Sequence, residues 1–245
     1  ILDPLWSRGL GDVYKRQPLN PARPNKPELV RAGEVPRRRP NTLNGQIAIL
    51  HSIAHIELNA VDLHWDIIAR FANIQMPVGF YDDWVKSAQE ESNHFNLICD
   101  CLEELGSYYG DLTAHDGLWQ AAIETRDDLL GRLAVVPMVL EARGLDVIPN
   151  MIRLFGKAKL KNAVKALKTI YEEEVSHVAY GSKWFNFLCG RNNLDPKIEF
   201  HRLVTKYFNG FLKPPFNEEK RADAGLPPDF YWPLADQLDN NTSYK

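Results

Sequence analysis

The chain has 245 residues, 44% of them hydrophobic and 25% charged, which suits one globular domain with extensions and an ordinary buried core. A net charge of −3 gives no global electrostatic case for nucleic acid or acidic membranes, and no apolar stretch approaches the length of a membrane span. Three cysteines, Cys99, Cys101 and Cys189, are an odd number without metal-finger spacing, so they point to buried thiols in a reducing compartment and to a cytoplasmic, bacterial-type enzyme.

Residues 1–17 (ILDPLWSRGLGDVYKRQ) begin at Ile1 rather than Met, lack an apolar signal segment and differ in style from the rest of the chain. They read as a non-native or disordered leader on a fragment. Six prolines between Pro18 and Pro40 make residues 18–42 an extended arm. Its Arg37, Arg38 and Arg39 read as a solvated face, with RNA contact as the alternative. A first helix is expected over 43–73, capped by Asn41 or Thr42, with Ile53, Glu57, Ala60, His64, Ile68 and Phe71 on its inward stripe. A second is expected over 81–105, stopped by Gly106, with Trp84, Ala88, Glu91, Phe95, Ile98 and Leu102 inward. Residues 106–118 hold three glycines and read as a crossover.

The third helix is expected to start at 118 or 127 and run to 155, kinked at Pro137, with Met138, Glu141, Leu145 and Ile148 inward. A fourth is expected over 157–188, with Tyr171, Glu174, Val178 and Gly181 inward. Its opening run of Lys157, Lys159, Lys161, Lys165 and Lys168 would stand where a helix dipole disfavours cations and reads as a solvated face. A fifth helix is expected over 196–209, with Pro196 at its first position after Asp195. The proline- and aromatic-rich segment 211–231 is expected to wrap the domain irregularly. The organisation is thus a four-helix bundle over 43–190 and a C-terminal helix and tail over 191–245.

Chemistry concentrates in two Glu-x-x-His motifs, Glu91 to His94 and Glu174 to His177. Each follows a lone glutamate, Glu57 or Glu141, at gaps of 34 and 33 residues. That arithmetic is the ligand pattern of a two-metal carboxylate site in a four-helix bundle. The four glutamates lie on otherwise apolar stripes that carry no Lys or Arg, so burial would make them mutually repulsive. Two divalent cations would cancel the four charges. Residues at i and i+3 share a helix face, so each motif can reach one site. Mixed oxygen and imidazole ligands suit iron or manganese better than calcium or magnesium. A single such motif is common and carries little weight; the weight lies in two at matched spacing. No phosphate-binding glycine loop, dinucleotide fingerprint, nucleophile elbow or Cys-x-x-Cys pair is present.

The segments HSIAHIELNAVDLHWD (51–66), QEESNHF (89–95), EARGLDV (141–147), EEEVSHVAYG (172–181) and FLKPPFNEEKRADAGLPPDFY (211–231) carry a resemblance. On them the chain resembles the ferritin-like di-iron carboxylate superfamily and, from about Pro18 to Trp232, a bacterial family of unknown function within it. The resemblance implies an all-α, ferritin-like four-helix bundle with two metal ions, Fe/Fe or Mn/Fe. Glu57 and Glu141 would be terminal ligands, Glu91 and Glu174 bridges, and His94 and His177 would each bind one metal. It further implies an O2-dependent oxidase or hydroxylase of an organic substrate, served by an electron-donor protein and working as a monomer or small homo-oligomer. The bacterial tRNA hydroxylase acting on an isopentenylated adenosine shares the superfamily and ligand pattern, so a small molecule or a modified RNA base are both open as substrate. The alternatives are a ferroxidase or peroxide scavenger without organic substrate, and a non-enzymatic scaffold with a residual metal site.

Metal-bound histidine usually donates its other nitrogen to a carboxylate or carbonyl. Glu90 and Glu173, just before the motif glutamates, are candidates, with Asp62 and Asp146 as alternatives and a solvent-facing charge as the plain reading of each. His64, seven residues from Glu57, reads as a hydrogen-bonded core histidine, with an extra ligand or proton donor as the alternative. His51, His55, His115 and His201 read as structural or surface groups, and Tyr171 and Tyr180 as packing residues rather than redox groups.

Overall fold

The computed structural model describes residues 19–36, 38–208 and 211–235. The expected leader, Pro18, Arg37, Asn209 at the expected end of the fifth helix, Gly210 and the last ten residues lie outside these. Among the described residues the chain is all-α, and its β-bridge, Leu29 to Ala114, is isolated. The first two long helices are α1 (Leu43–Arg70) and α2 (Val78–Glu104). A composite third run joins α3 (Gly117–Glu124), α4 (Leu129–Val135), a π turn (Val136–Glu141) and α5 (Ala142–Lys157). The fourth is α6 (Lys161–Arg191), and α7 (Pro196–Tyr207), α8 (Glu218–Asp223) and α9 (Pro228–Ala235) complete the order. Helix α1 packs on α2, α5 on α6, and α2 on α6. No helix among the described residues is long and apolar enough to cross a membrane.

Local chemistry sets the ends. The Thr42 hydroxyl accepts the Gly45 N–H at 3.1 Å and caps α1. Asp128 caps α4, and Asp195 caps α7 ahead of Pro196. Gly106, at φ 74°, supplies the left-handed turn that ends α2.

Four expectations need correction. Helix α2 begins directly after Pro77 rather than at 81. The third run breaks between Glu124 and Leu129, and at Pro137 it widens into the π turn, which suits a residue with no N–H to give. The fourth helix starts at Lys161, so the lysines do not all open it. Lys157 closes α5, where a cation is favoured, and Lys159 sits in the link at φ 61°. Finally, the tail is not irregular throughout, since it folds into α8 and α9.

A second proline in the third run, Pro149, explains how the tail attaches. It cannot donate to the Leu145 carbonyl one turn back. The Asn217 side chain fills the gap, donating to that carbonyl at 3.2 Å and to the Tyr171 hydroxyl at 2.6 Å. The same residue caps α8 by accepting the Lys220 N–H at 3.2 Å. Beside it, the Arg221 guanidinium forks onto the buried Asp146 carboxylate at 2.7 and 2.9 Å. The N-terminal arm is tied down at Arg23, which reaches Asp116, Asp62 and Asn59.

Two large apolar clusters fill the bundle. One joins Ile67, Phe80, Trp84, Met138, Val178 and Phe185 to the tail at Tyr231. The other gathers Leu50, Ile53, Ile98, Leu102, Phe155, Leu167 and Ile170. Along each long helix a polar layer interrupts the two, at Glu57 to His64, Glu91 to His94, Glu141, and Glu174 to His177.

Asn217→Ala is expected to lower stability by about 2 kcal/mol, the sum of a lost helix cap and a carbonyl left without a donor, read as a fall in the urea unfolding midpoint at unchanged slope.

Candidate metal centre

The polar layer converges on one point. Glu57 of α1, Glu91 and His94 of α2, and Glu174 of α6 are buried, and each offers a ligand atom within 4.8 Å of the others, a group that could hold a metal ion. His177 joins from α6, its Nδ1 3.0 Å from Glu91 Oε1 and 3.9 Å from Glu174 Oε1. On the other side His94 Nδ1 lies 3.2 Å from Glu91 Oε2 and 3.3 Å from Glu57 Oε2. The Glu91 carboxylate therefore spans the two imidazoles, one oxygen toward each.

Glu141 enters from the end of the π turn. Its Oε1 accepts from His64 Nε2 at 2.8 Å, and its Oε2 is buried without a hydrogen-bond partner. The π turn reaches this position by seating Pro137 against Gly181 of α6. A Cβ on Gly181 would meet Pro137 Cβ and Cγ at 2.5 and 2.6 Å, so no larger residue fits without displacing the turn. His64 itself is fully buried, with its ring against Trp84 at 5.3 Å and edge-on to His177 at 5.6 Å.

The outer nitrogens of the two motif histidines are bound crosswise. His94 Nε2 pairs with Glu173 of α6 at 2.7 Å, and His177 Nε2 pairs with Glu90 of α2 at 2.9 Å. Lys86 stands 3.5 Å from Glu90, and its ammonium also donates to the Tyr180 hydroxyl at 3.3 Å. Neither Asp62 nor Asp146 touches these histidines. Asp62 faces Arg23 and Asp146 faces Arg221, so each carboxylate is taken up by a guanidinium instead. The remaining histidines serve the framework. His51 accepts the Gly110 N–H at 3.0 Å. His55 bonds the Tyr109 hydroxyl and the His115 carbonyl at 2.9 and 3.1 Å. His115 accepts the Gly117 N–H at 3.2 Å, and His201 donates to carbonyls of α9.

Over the glutamates lies a cavity of about 130 Å³ whose floor is Glu57, Glu91, Glu141 and Glu174. Its walls are apolar side chains of α1, α3, the π turn and α5 together with Arg143, and neither motif histidine lines it. Sequence periodicity gave no signal for this space, nor for the pairing of His64 with Glu141.

The fit to a metal pair rests on the donor set. Glu141 Oε2 and Glu174 Oε2 are buried without a hydrogen-bond partner, and Glu57 Oε2, Glu91 Oε1 and His177 Nδ1 have only the ion-pair contacts within the layer described above. Buried polar atoms in folded proteins are ordinarily satisfied, so a layer of buried carboxylates with two unpartnered oxygens and otherwise only imidazole neighbours suits cations.

Comparison with known proteins places the chain. Residues 4–232 match the family described as "Protein of unknown function (DUF455)". The chain belongs to that family. A relative described as an uncharacterized protein of Haemophilus influenzae (strain ATCC 51907 / DSM 11121 / KW20 / Rd) is 42% identical over 208 residues, covering 83% of this chain and 72% of the relative. No solved structure matches. The matched region of this DUF455 chain contains every residue of the cluster.

Without a cation the cluster must share out protons. Burial pushes the Glu57 carboxyl up to about 8, and the charge of Glu91 adds to the rise. Burial also lifts Glu174 well above the carboxylate range. Burial would lift Glu91 too, but the imidazoles of His177 and His94 outweigh it and hold Glu91 ionised. Burial opposes charge on His94, yet its bonds to Glu57 and Glu91 win and push it up to about 11. The folded protein thus keeps a proton on Glu57 between pH 4.5 and about 8, and one on His94 between 6.5 and about 11, that the unfolded chain has released. Stability from both groups is present below those windows and lost as pH rises through them. The melting temperature of the metal-free protein is expected to fall from about pH 5 to about pH 9, and the fall should be shallower in Glu57→Gln.

Proposed function

We propose that Glu57, Glu91, His94, Glu141, Glu174 and His177 hold two metal ions, Fe/Fe or Mn/Fe, in a ferritin-like centre, and that the protein is an O2-dependent oxidase or hydroxylase of an organic substrate. The observation that carries the reading is Glu91, whose two oxygens face the inner nitrogens of two histidines from different helices. A carboxylate so placed is disposed to bridge two cations, with one imidazole for each. Reduced metals of this kind, when bound, supply the electrons for O2 activation.

The chain's own groups prepare that chemistry. Glu173 and Glu90 accept from the outer Nε2–H groups of His94 and His177, which leaves each Nδ1 free of its proton for a metal. His64 holds one oxygen of Glu141 and leaves the other turned to the centre. Apolar side chains over the four glutamates exclude water and leave room for a substrate. That cavity favours an organic substrate over iron handling, which needs a polar path for hydrated ions rather than an apolar chamber.

Protein produced with iron and manganese available is expected to carry about two metals per chain by elemental mass spectrometry, lost in the Glu91→Ala, Glu174→Ala double variant. Glu90→Ala and Glu173→Ala should each weaken metal binding about 10- to 100-fold while leaving the ligands in place. The reduced, loaded protein should consume O2. Wild-type protein that stays metal-free after anaerobic reconstitution would sink the reading.

A further inference from the structure

The cavity over the glutamates has a shape and a neighbour that speak to what enters it. Ile53, Ala60, Leu63, Val136, Leu140 and Ile148 are among its walls, and the one charged wall residue, Arg143, has its guanidinium bonded to Asp146 and to the Lys213 and Pro215 carbonyls, so above the floor the lining is mostly hydrocarbon. Its volume, about 130 Å³, is close to that of the ~150 Å³ apolar cavity that takes a benzene molecule.

Gly144 keeps this space open. It lies inside α5 without a left-handed φ, so the backbone does not demand glycine there, and glycine in a helix interior costs about 0.5–1 kcal/mol relative to alanine. A Cβ at this position would already touch the Glu174 side chain at 3.9 Å and Ile148 at 3.6 Å. A longer side chain would occupy the chamber above the carboxylate.

The second pocket lies next door. It shares Ile56, Leu118 and Leu140 with the cavity and has about 370 Å³. Its lining is more polar, with His51, Ser52, His55, His115 and Arg38. Ile56, at the join, is 46% exposed.

We infer that the two spaces together are the binding site of an amphipathic substrate, with a hydrocarbon end of about six carbons over the four glutamates and a polar remainder in the neighbouring histidine-lined pocket. The assignment of the occupant as substrate rests on the dimetal reading; the shape of what binds does not. The hydrocarbon end lies against the carboxylates that would hold the metals. Ile56, Leu118 and Leu140, which line both spaces, mark where the hydrocarbon end gives way to the polar end.

The test is calorimetric titration of the metal-loaded full chain with straight-chain primary alcohols from ethanol to decanol, with metal content measured on the same samples. Affinity is expected to tighten about fourfold per added CH2 up to about six carbons and then level off. Gly144→Leu should abolish the gain from chain length while keeping the metal content of the wild type. Ile56→Glu, a change at a half-exposed residue that leaves the core intact, should weaken hexanol at least tenfold. Affinity indifferent to chain length, or Gly144→Leu binding hexanol as tightly as wild type, would overturn the inference. A chain-length ladder in protein that holds no metal would uphold the cavity assignment while the dimetal reading falls.

Discussion

The structure turns on a layer of four glutamates set between two apolar cores, with no lysine or arginine paired to them among the described residues. Elsewhere the chain answers the same problem with guanidinium groups. Asp66 is paired with Arg132 and Arg70, and Asp146 with Arg221. Among the described residues Glu57, Glu91, Glu141 and Glu174 form ion pairs only with imidazoles, and four of their oxygens are left without a hydrogen bond. A buried carboxylate is tolerable only when it is protonated, paired or bound to a cation. The arginines show that this protein can place a paired cation where it needs one. Its absence from the central layer is therefore informative.

The centre is also asymmetric across the bundle. On the α2 and α6 side it is closed by two histidines and their outer glutamates. On the α1 and α5 side it opens into a mostly apolar cavity. The π turn is what reconciles the two sides. It lets Pro137 sit against Gly181, absorbs a residue with no N–H, and ends on Glu141. A regular helix through the same sequence would meet α6 with a different face.

Much of this was legible beforehand, for physical reasons. An all-α fold follows from long stripes at three- and four-residue steps, and a glutamate in the middle of an apolar stripe announces itself because burial makes it costly. The metal-capable group of Glu57, Glu91, His94 and Glu174 was readable from spacing alone. What failed lay at the ends of elements and across space. Helices α8 and α9 are 6 and 8 residues long, too short for periodicity to register, although Asn217 and Pro228 were usable start signals. The partners of Asp146 and Asp62 lie 75 and 39 positions away, on Arg221 and Arg23, and no local pattern encodes such pairings. The cavity is a property of four surfaces at once and has no sequence signature.

The crosswise bonds of the outer shell carry a consequence for how such a chain can change over generations. Each Glu-Glu pair serves two masters: Glu91 faces the centre while Glu90 steadies the histidine of the opposite motif, and Glu174 and Glu173 do the same in return. Neither motif is therefore at liberty to change without the other. A lineage that discards one motif also unfastens the histidine of the other, so half a centre is not a resting place, and descendants should carry both motifs or neither.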